Sequence, residues 1–458
     1  MLSPVTMSPG RCVATVVASV VLAFAAHEAV ALSQSERLQS AAARLVPLLD
    51  LGRTEMRKVK ALVDEERDIE ALKTWRDQLV ARMRSRDYHQ FYQHDYARHW
   101  RQVGIADMLA GAVSREDYLN DASRTGFLDI FNMAGPPGRG QRIDWFAQPE
   151  DVTDWGNVEI ASWSLQKKRS KVGYGCLHFG RSFVARFWET GKPTYRAKLM
   201  ELMDDFVVNH HRLFWEAYAR GEVHTRNRET GKFYYTDWRE NVNALDTAVR
   251  ARNLVVFQAG LAKCVGDSKA KEWADILGPA REGVSRVQTD ALPADQMANL
   301  AISLVEHHGP KVIRFASGPC VPNQRLTALK TLLCLSATYP NFRHTTPMLR
   351  TFRINMDNIL ADNYLPDGGS LEQSFNYNHG ELRELEVILA SFGGDAPSFA
   401  EALRERVQAR RAMDDGLRTP LGGLPQVGNH SSFTRTGKDV WSSPEALATY
   451  QASRTREG

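Results

Sequence analysis

Apolar residues recur every three to four positions through most of this chain, and that spacing predicts helices. Residues 34–85 are charged and amphipathic. Over 176–188, Phe179, Phe183, Val184 and Phe187 fall on one face. The stretch 194–210, opened by Pro193, repeats the pattern with Leu199, Leu202, Met203 and Phe206. Over 243–261, Leu245, Ala248, Val249 and Val256 share a side. Helices over 297–308, 326–337 and 348–360 follow, the last with Thr346-Pro347 as N-cap and first helical residue. Segments 382–392 and 397–412 close the series.

Turn residues separate these segments. Thr190-Gly191-Lys192-Pro193, Gly266-Asp267 and Tyr339-Pro340-Asn341 each stop one helix before the next begins. The recurring unit is therefore a helical hairpin in an all-α protein. Such hairpins stack into an α/α toroid, an open solenoid or a bundle, and periodicity alone admits all three. Two stretches break the rhythm. The glycine- and proline-rich loop 134–140 divides an N-terminal helical segment, 32–133, from the main helical array, 140–415. From Gly416 the character changes again, with Pro420, Gly422, Gly423, Pro425 and Gly428 ahead of a Ser/Thr-rich tail over 416–458.

The first residues read differently. Arg11 precedes an apolar run from 12 to 26, and Ala29-Val30-Ala31 supplies a small-x-small cleavage site before Leu32. Residues 1–31 are thus predicted to be a secretory signal peptide. A membrane-spanning helix needs about 20 apolar residues, and His27-Glu28 end this run earlier. The expected location is periplasmic or secreted, with no membrane attachment after cleavage. Four cysteines then remain: Cys176, Cys264, Cys320 and Cys334. Their spacings match no zinc site, and Cys176 and Cys334 read as buried thiols.

At 458 residues with 43% hydrophobic content, the chain is long enough for a large core. A formal charge of +4 and a pI near 8.7 are mildly basic. No long Lys/Arg block points to nucleic acid. Composition leaves the oligomeric state open.

Residues 366–379, Pro-Asp-Gly-Gly-Ser-Leu-Glu-Gln-Ser-Phe-Asn-Tyr-Asn-His, carry the chemistry. Asp367-Gly368-Gly369 is a turn signal. A short loop between helices is expected to present Glu372, Gln373, Asn376, Tyr377, Asn378 and His379 together, a set suited to the wall of a sugar-sized polar site.

This run resembles the Asp-Gly-x-x-x-Glu-x-Ser-x-x-Tyr segment of the heparinase II/III-like polysaccharide lyases. A second family element is an Asn-His pair opening a leucine-rich helix. Here Asn323-Gln324 opens 325–333, and Asn323 precedes Tyr377 by 54 residues (377 − 323), the family's spacing. Gln324 stands where the family has histidine. A looser match runs from Trp155 through Trp163 to Thr190-Gly191 and Asn209. The resemblance covers roughly 140–428. It implies an incomplete α/α toroid, followed over 416–458 by only the start of a truncated C-terminal β-sandwich domain. It also implies β-elimination on a uronic-acid polysaccharide, heparan sulfate- or heparin-like or alginate-like, with an acidic polysaccharide as partner and no cofactor.

Elimination requires three things. The charge that builds on the uronate carboxylate must be neutralised, the C5 proton taken, and the leaving O4 protonated. By resemblance, Tyr377 is the acid/base and Asn323 the carboxylate ligand. Tyrosine serves if its pKa falls from about 10. Asn323 also reads as the N-cap of the helix opening at Arg325, and both roles can hold. Gln324 can donate a hydrogen bond but carries no charge. Glu372 reads as a sugar contact or as an acid favoured near a helix N-terminus. His379 reads as a second proton carrier or a structural histidine. Arg250 and Arg252 read as a clamp on carboxylate or sulfate, or as a solvated helix face. Adjacent His307 and His308 point to different faces, so at most one lines a cleft. No residue set has metal-ligand spacing. Two other functions fit the residues: a non-catalytic glycan-binding toroid, and a toroid glycoside hydrolase using a carboxylate pair such as Asp367 and Glu372.

Overall fold

The computed structural model describes residues 32–86, 88–91, 104–112, 133–134, 142–143, 180–219, 244–263, 292–318, 322–362, 364, 375–392 and 397–416. Among them helices dominate. The only named strands described, β1 (Met133–Ala134) and β2 (Arg142–Ile143), form one antiparallel pair with Met133 opposite Ile143. Of the predicted loop 134–140 only Ala134 is among the described residues, and the all-α class is as predicted.

The N-terminal segment forms α1 (Gln34–Leu45), α2 (Arg57–Asp64), α3 (Asp68–Ser85) and α4 (Gly104–Leu109). Ser33 and Glu36 make a capping box at the start of α1: the Ser33 hydroxyl accepts from the Glu36 N–H, and Glu36 Oε2 accepts from the Ser33 N–H. On α3, Ala71, Leu72, Trp75, Leu79 and Met83 are buried at helical spacing, while Glu70, Lys73 and Asp77 are exposed to water.

The main array holds α5 (Gly180–Thr190), α6 (Pro193–Ala219), α7 (Ala244–Ala262), α8 (Ala294–Ile302), α9 (Gly309–Ser317), α10 (Pro322–Thr338), α11 (Thr345–Asp362), α12 (Phe375–Phe392) and α13 (Pro397–Gly416). One π-helical turn, Ser303–His308, joins α8 to α9. The turn between α5 and α6 is the predicted one. Gly191 adopts φ 64°, its N–H bonds the Phe187 carbonyl at 2.8 Å, and Pro193 opens α6.

Helices α7 and α10 are buried nearly all round. They run parallel, as two hydrogen bonds show. Thr331 Oγ1 donates to the Ala248 carbonyl at 3.0 Å, and further along both helices Tyr339 OH donates to Gln258 Oε1 at 3.0 Å. Helix α11 returns antiparallel after the short connection 339–344. Just past its end, Tyr364 OH donates to Glu381 Oε2 at 3.1 Å, within the first two turns of α12. So α12 starts at the end where α10 starts, and α7, α10 and α12 run in the same direction. Parallel helices side by side, with antiparallel ones returning between them, are the hairpin stacking of an α/α toroid.

The N-terminal helices close the far end of this layer. Arg84 Nε donates to the Ala262 carbonyl at 2.7 Å, and Arg82 Nη1 to the Thr338 carbonyl at 3.2 Å. Those are the last residues of α7 and α10, whose carbonyl ends carry negative partial charge. Trp75 packs edge-on against Phe342, and Leu49 pairs with the same residue in a β-bridge.

Several predicted boundaries move. Helix α10 opens at Pro322, so Asn323 lies inside the first turn rather than capping from outside it. Helix α11 opens at Thr345, so Thr346 is not its N-cap; the Thr345 hydroxyl instead bonds the Tyr339 carbonyl at 2.6 Å. Helix α12 opens at Phe375, so Asn376, Tyr377, Asn378 and His379 sit in its first turns and not in a loop. Polar side chains at these helix starts hid the boundaries, because such residues read as turn formers.

Candidate functional site

The first turns of α7, α10 and α12 face one end of the layer, opposite the arginine-closed end. Parallel N-termini leave backbone N–H groups and positive partial charge there, which favours an anionic ligand.

On α10, Asn323 Oδ1 accepts from the Gln324 N–H at 2.7 Å. The side chain therefore satisfies one first-turn donor, and among the described residues no partner takes its Nδ2. That amide NH₂ is the group able to hydrogen-bond a uronate carboxylate. Asn323 and Gln324 are both half-buried. Below them, Thr327 Oγ1 donates to the Asn323 carbonyl at 3.1 Å, and the single Thr331 hydroxyl proton is shared between the carbonyls of Ala248 and Thr327, each at 3.0 Å. The backbone of Tyr377 and His379 lies in α12, and their side chains are outside the described residues, as is Glu372. Residues 1–31, the tail 417–458, Trp155, Trp163, Trp238, the basic run 167–171, Cys176, Cys264 and Cys320 are outside them too. Cys334 is a free buried thiol, and burial pushes it up to about 12.

The deeper part of the site is a charged cluster. Lys330 on α10 and Glu384 on α12 form an ion pair with side-chain exposures of 1% and 7%. Burial pulls Lys330 down to about 8; nearby Arg252 adds to this and Glu384 opposes it. Glu381, one turn earlier on α12, holds Tyr364, whose hydroxyl burial and Glu381 push far above its ordinary value. Arg410 of α13 is fully buried and its charge acts on Tyr364. Sequence reasoning had passed over Lys330, Glu381 and Glu384. The available signal was an ionisable residue in the apolar run Leu326–Leu335, and two carboxylates three apart in the leucine-rich start of α12.

Arg250 and Arg252 depart from the expected solvated face. Arg250 is 1% exposed, its guanidinium stacked 5.5 Å from the Phe206 ring centroid, and its Nε donates to His308 Nε2 at 3.2 Å. His308 Nδ1 lies 2.9 Å from the Ser303 carbonyl, so Nδ1 carries the proton and Nε2 accepts. Burial, then Arg250, holds this imidazole well below its ordinary pKa and neutral. The π-turn carries Ser303 and His308 into this position. Arg250 thus sits in the wall behind the α7 N-terminal half. Of the adjacent histidines, His308 is buried and His307 only half-buried, consistent with opposite faces. Among the described residues, no cluster of three or more His, Cys, Asp or Glu could hold a metal ion, and no helix is long and apolar enough to cross a membrane.

No family model and no curated protein matches the chain. Among solved structures, heparan sulfate lyase HepC from Pedobacter heparinus matches over 84% of this chain and 50% of its own, at 11% identity and a TM-score of 0.49. A heparinase III gene product matches over 83% of this chain and 49% of its own, at 14% identity and a TM-score of 0.47. The chain spans about half the length of these structures.

Proposed function

We propose that this chain is a polysaccharide lyase that cleaves a uronic-acid polymer, heparan sulfate-like or alginate-like, by β-elimination. The observation that supports the reading is backbone placement: Asn323 and Tyr377, 54 residues apart (377 − 323), fall in the first turns of two parallel helices. In this reading the Asn323 Nδ2 donates to the C6 carboxylate and withdraws the charge that builds there on loss of the C5 proton. The Tyr377 hydroxylate takes that proton and returns one to the leaving O4. Electrons from the C5–H bond form the C4–C5 double bond as the C4–O4 bond breaks. Gln324 adds a neutral donor, and the three aligned helix starts favour the polymer's negative charge.

A hydrolase needs two carboxyl groups free to flank a glycosidic bond. The candidate pair Asp367 and Glu372 lies outside the described residues, while the buried Glu381 and Glu384 are engaged by Tyr364 and Lys330 and do not serve as such a pair. Gln324 in place of histidine is what keeps a glycan-binding role in view. The two differ in turnover: incubation with a panel of uronic polymers should raise ultraviolet absorbance as the unsaturated product forms. Tyr377→Phe should lower that rate by about 10²–10⁴-fold with polymer binding unchanged. Near wild-type elimination by the variant would remove Tyr377 from the role, and binding without any product would favour the glycan-binding function. Export through cleavage after Ala31 belongs to the same proposal; N-terminal sequencing of the secreted chain should begin at or near Leu32.

A further inference from the structure

Lys330 and Glu384 each lie seven residues beyond a proposed site residue: Asn323 to Lys330 on α10, Tyr377 to Glu384 on α12. Seven residues is two helical turns, so each pair shares a stripe, about 10 Å apart along the axis. The stripes continue inward as Asn323, Thr327, Lys330 and Cys334 on one helix, and as positions 377, 381, 384 and 388 on the other. Lys330, Cys334, Glu381, Glu384 and Ile388 are all buried. Because α10 and α12 run parallel, contact between Lys330 and Glu384 brings positions 323 and 377 to the same level, two turns towards the N-termini. A slip of one residue along either helix would rotate its site position by about 100° off that stripe.

We infer that the buried Lys330–Glu384 ion pair is a register lock that sets Asn323 against Tyr377, making Lys330 and Glu384 positioning residues for the elimination. The inference rests on the roles proposed above for Asn323 and Tyr377. Neither lock residue touches the polymer. Leucine-type contacts between α10 and α12 tolerate sliding, since apolar packing is non-directional. An ion pair inside that packing does not, because any slip leaves two buried charges unmatched. Tyr364, bonded to Glu381 a turn above, holds the same stripe of α12 from the α11 side.

The test replaces both charges at once. Lys330→Met with Glu384→Leu removes both charges of the pair together, so the fold should be kept. With the lock gone, kcat should drop about a hundredfold while KM moves little, the signature of misplaced catalytic groups. Lys330→Arg with Glu384→Asp keeps both charges and should retain most of kcat. Should the apolar pair fail to fold, Lys330→Leu with Glu384→Met is read in the same way. A second readout is independent of activity. Nitroxides on unnatural ketone side chains at positions 324 and 378 leave the native cysteines untouched, and their separation reports register directly. The distance distribution should be narrow in the unmutated background and broad in the apolar pair. Wild-type kcat together with a narrow distribution in the folded apolar pair would overturn the lock. If the unmutated chain eliminates no uronate, the proposed function falls, and the distance distributions alone decide the lock.

Discussion

Helices α7 and α10 are finished in two different ways at their two ends. At the C-terminal end, Arg82 and Arg84 of α3 reach across and take the last carbonyls of both helices. That end is sealed, with Trp75, Tyr339 and Phe342 packed beneath it. At the N-terminal end, Asn323 meets one first-turn donor of α10, the Gln324 N–H, and its own amide NH₂ has no partner among the described residues. Cations of α3 thus meet the carbonyl ends of this pair of helices, while the N–H ends are left where an anion can come. One end holds the scaffold together; the other carries the proposed site.

The comparison breaks most sharply at the buried pair beneath the N-terminal end. Lys330→Met alone removes the ammonium paired with buried Glu384 and should cost about 3–5 kcal/mol of stability by urea denaturation. Destabilisation below about 1 kcal/mol would mean that Arg252 or another neighbour takes over the carboxylate. At the sealed end, Arg84→Ala removes a charge-assisted hydrogen bond to the Ala262 carbonyl. The expected loss is about 1.5–3 kcal/mol, with elimination kinetics unchanged below the melting transition. A fall in kcat for the folded variant would show that the two ends are not separable.

A carboxylate that belongs to neither the arginine contacts nor the Lys330–Glu384 pair serves as a control. Asp204 on α6 accepts from Asn299 Nδ2 at 2.7 Å, and burial raises its pKa from 3.8 to about 6. Nearby Asp295 adds to the shift, while Asn299 and Arg44 oppose it. The folded state therefore holds the proton better than the unfolded chain does. Its contribution to stability is complete below about pH 4 and is lost as pH rises through 6. Asp204→Asn keeps the acceptor for Asn299 and should stabilise the protein at pH 7 by about 1 kcal/mol. The same change should flatten the melting temperature between pH 4 and 6. The smallest effect belongs to the surface: Lys60 and Asp64 pair on exposed α2, and Lys60→Ala should change stability by less than about 0.5 kcal/mol.

Much of the scaffold was legible from periodicity, because a helix repeats its buried face every three to four residues whatever it packs against. Leu199, Leu202, Met203 and Phe206 fell on the predicted face of α6, and Gly191 closed α5 as expected. The starts of α10, α11 and α12 were not legible, since Asn323, Thr346 and Asn376 favour turns as readily as first helical turns. The burial of Arg250 was not legible for a related reason. Local sequence shows a charged residue on a helix, but only the neighbours decide whether that face meets water or His308 and Phe206.

The sequence by itself determined the helical class, the hairpin rhythm, the turn at Thr190-Gly191, and the distance along the chain from Asn323 to Tyr377. These are local properties, set by side-chain size, backbone freedom and spacing. The tertiary structure decided which helices run parallel, which end is sealed by Arg82 and Arg84, and that Lys330 meets Glu384. Each of those depends on groups far apart in the chain, and a buried charge is stable only where its partner happens to lie.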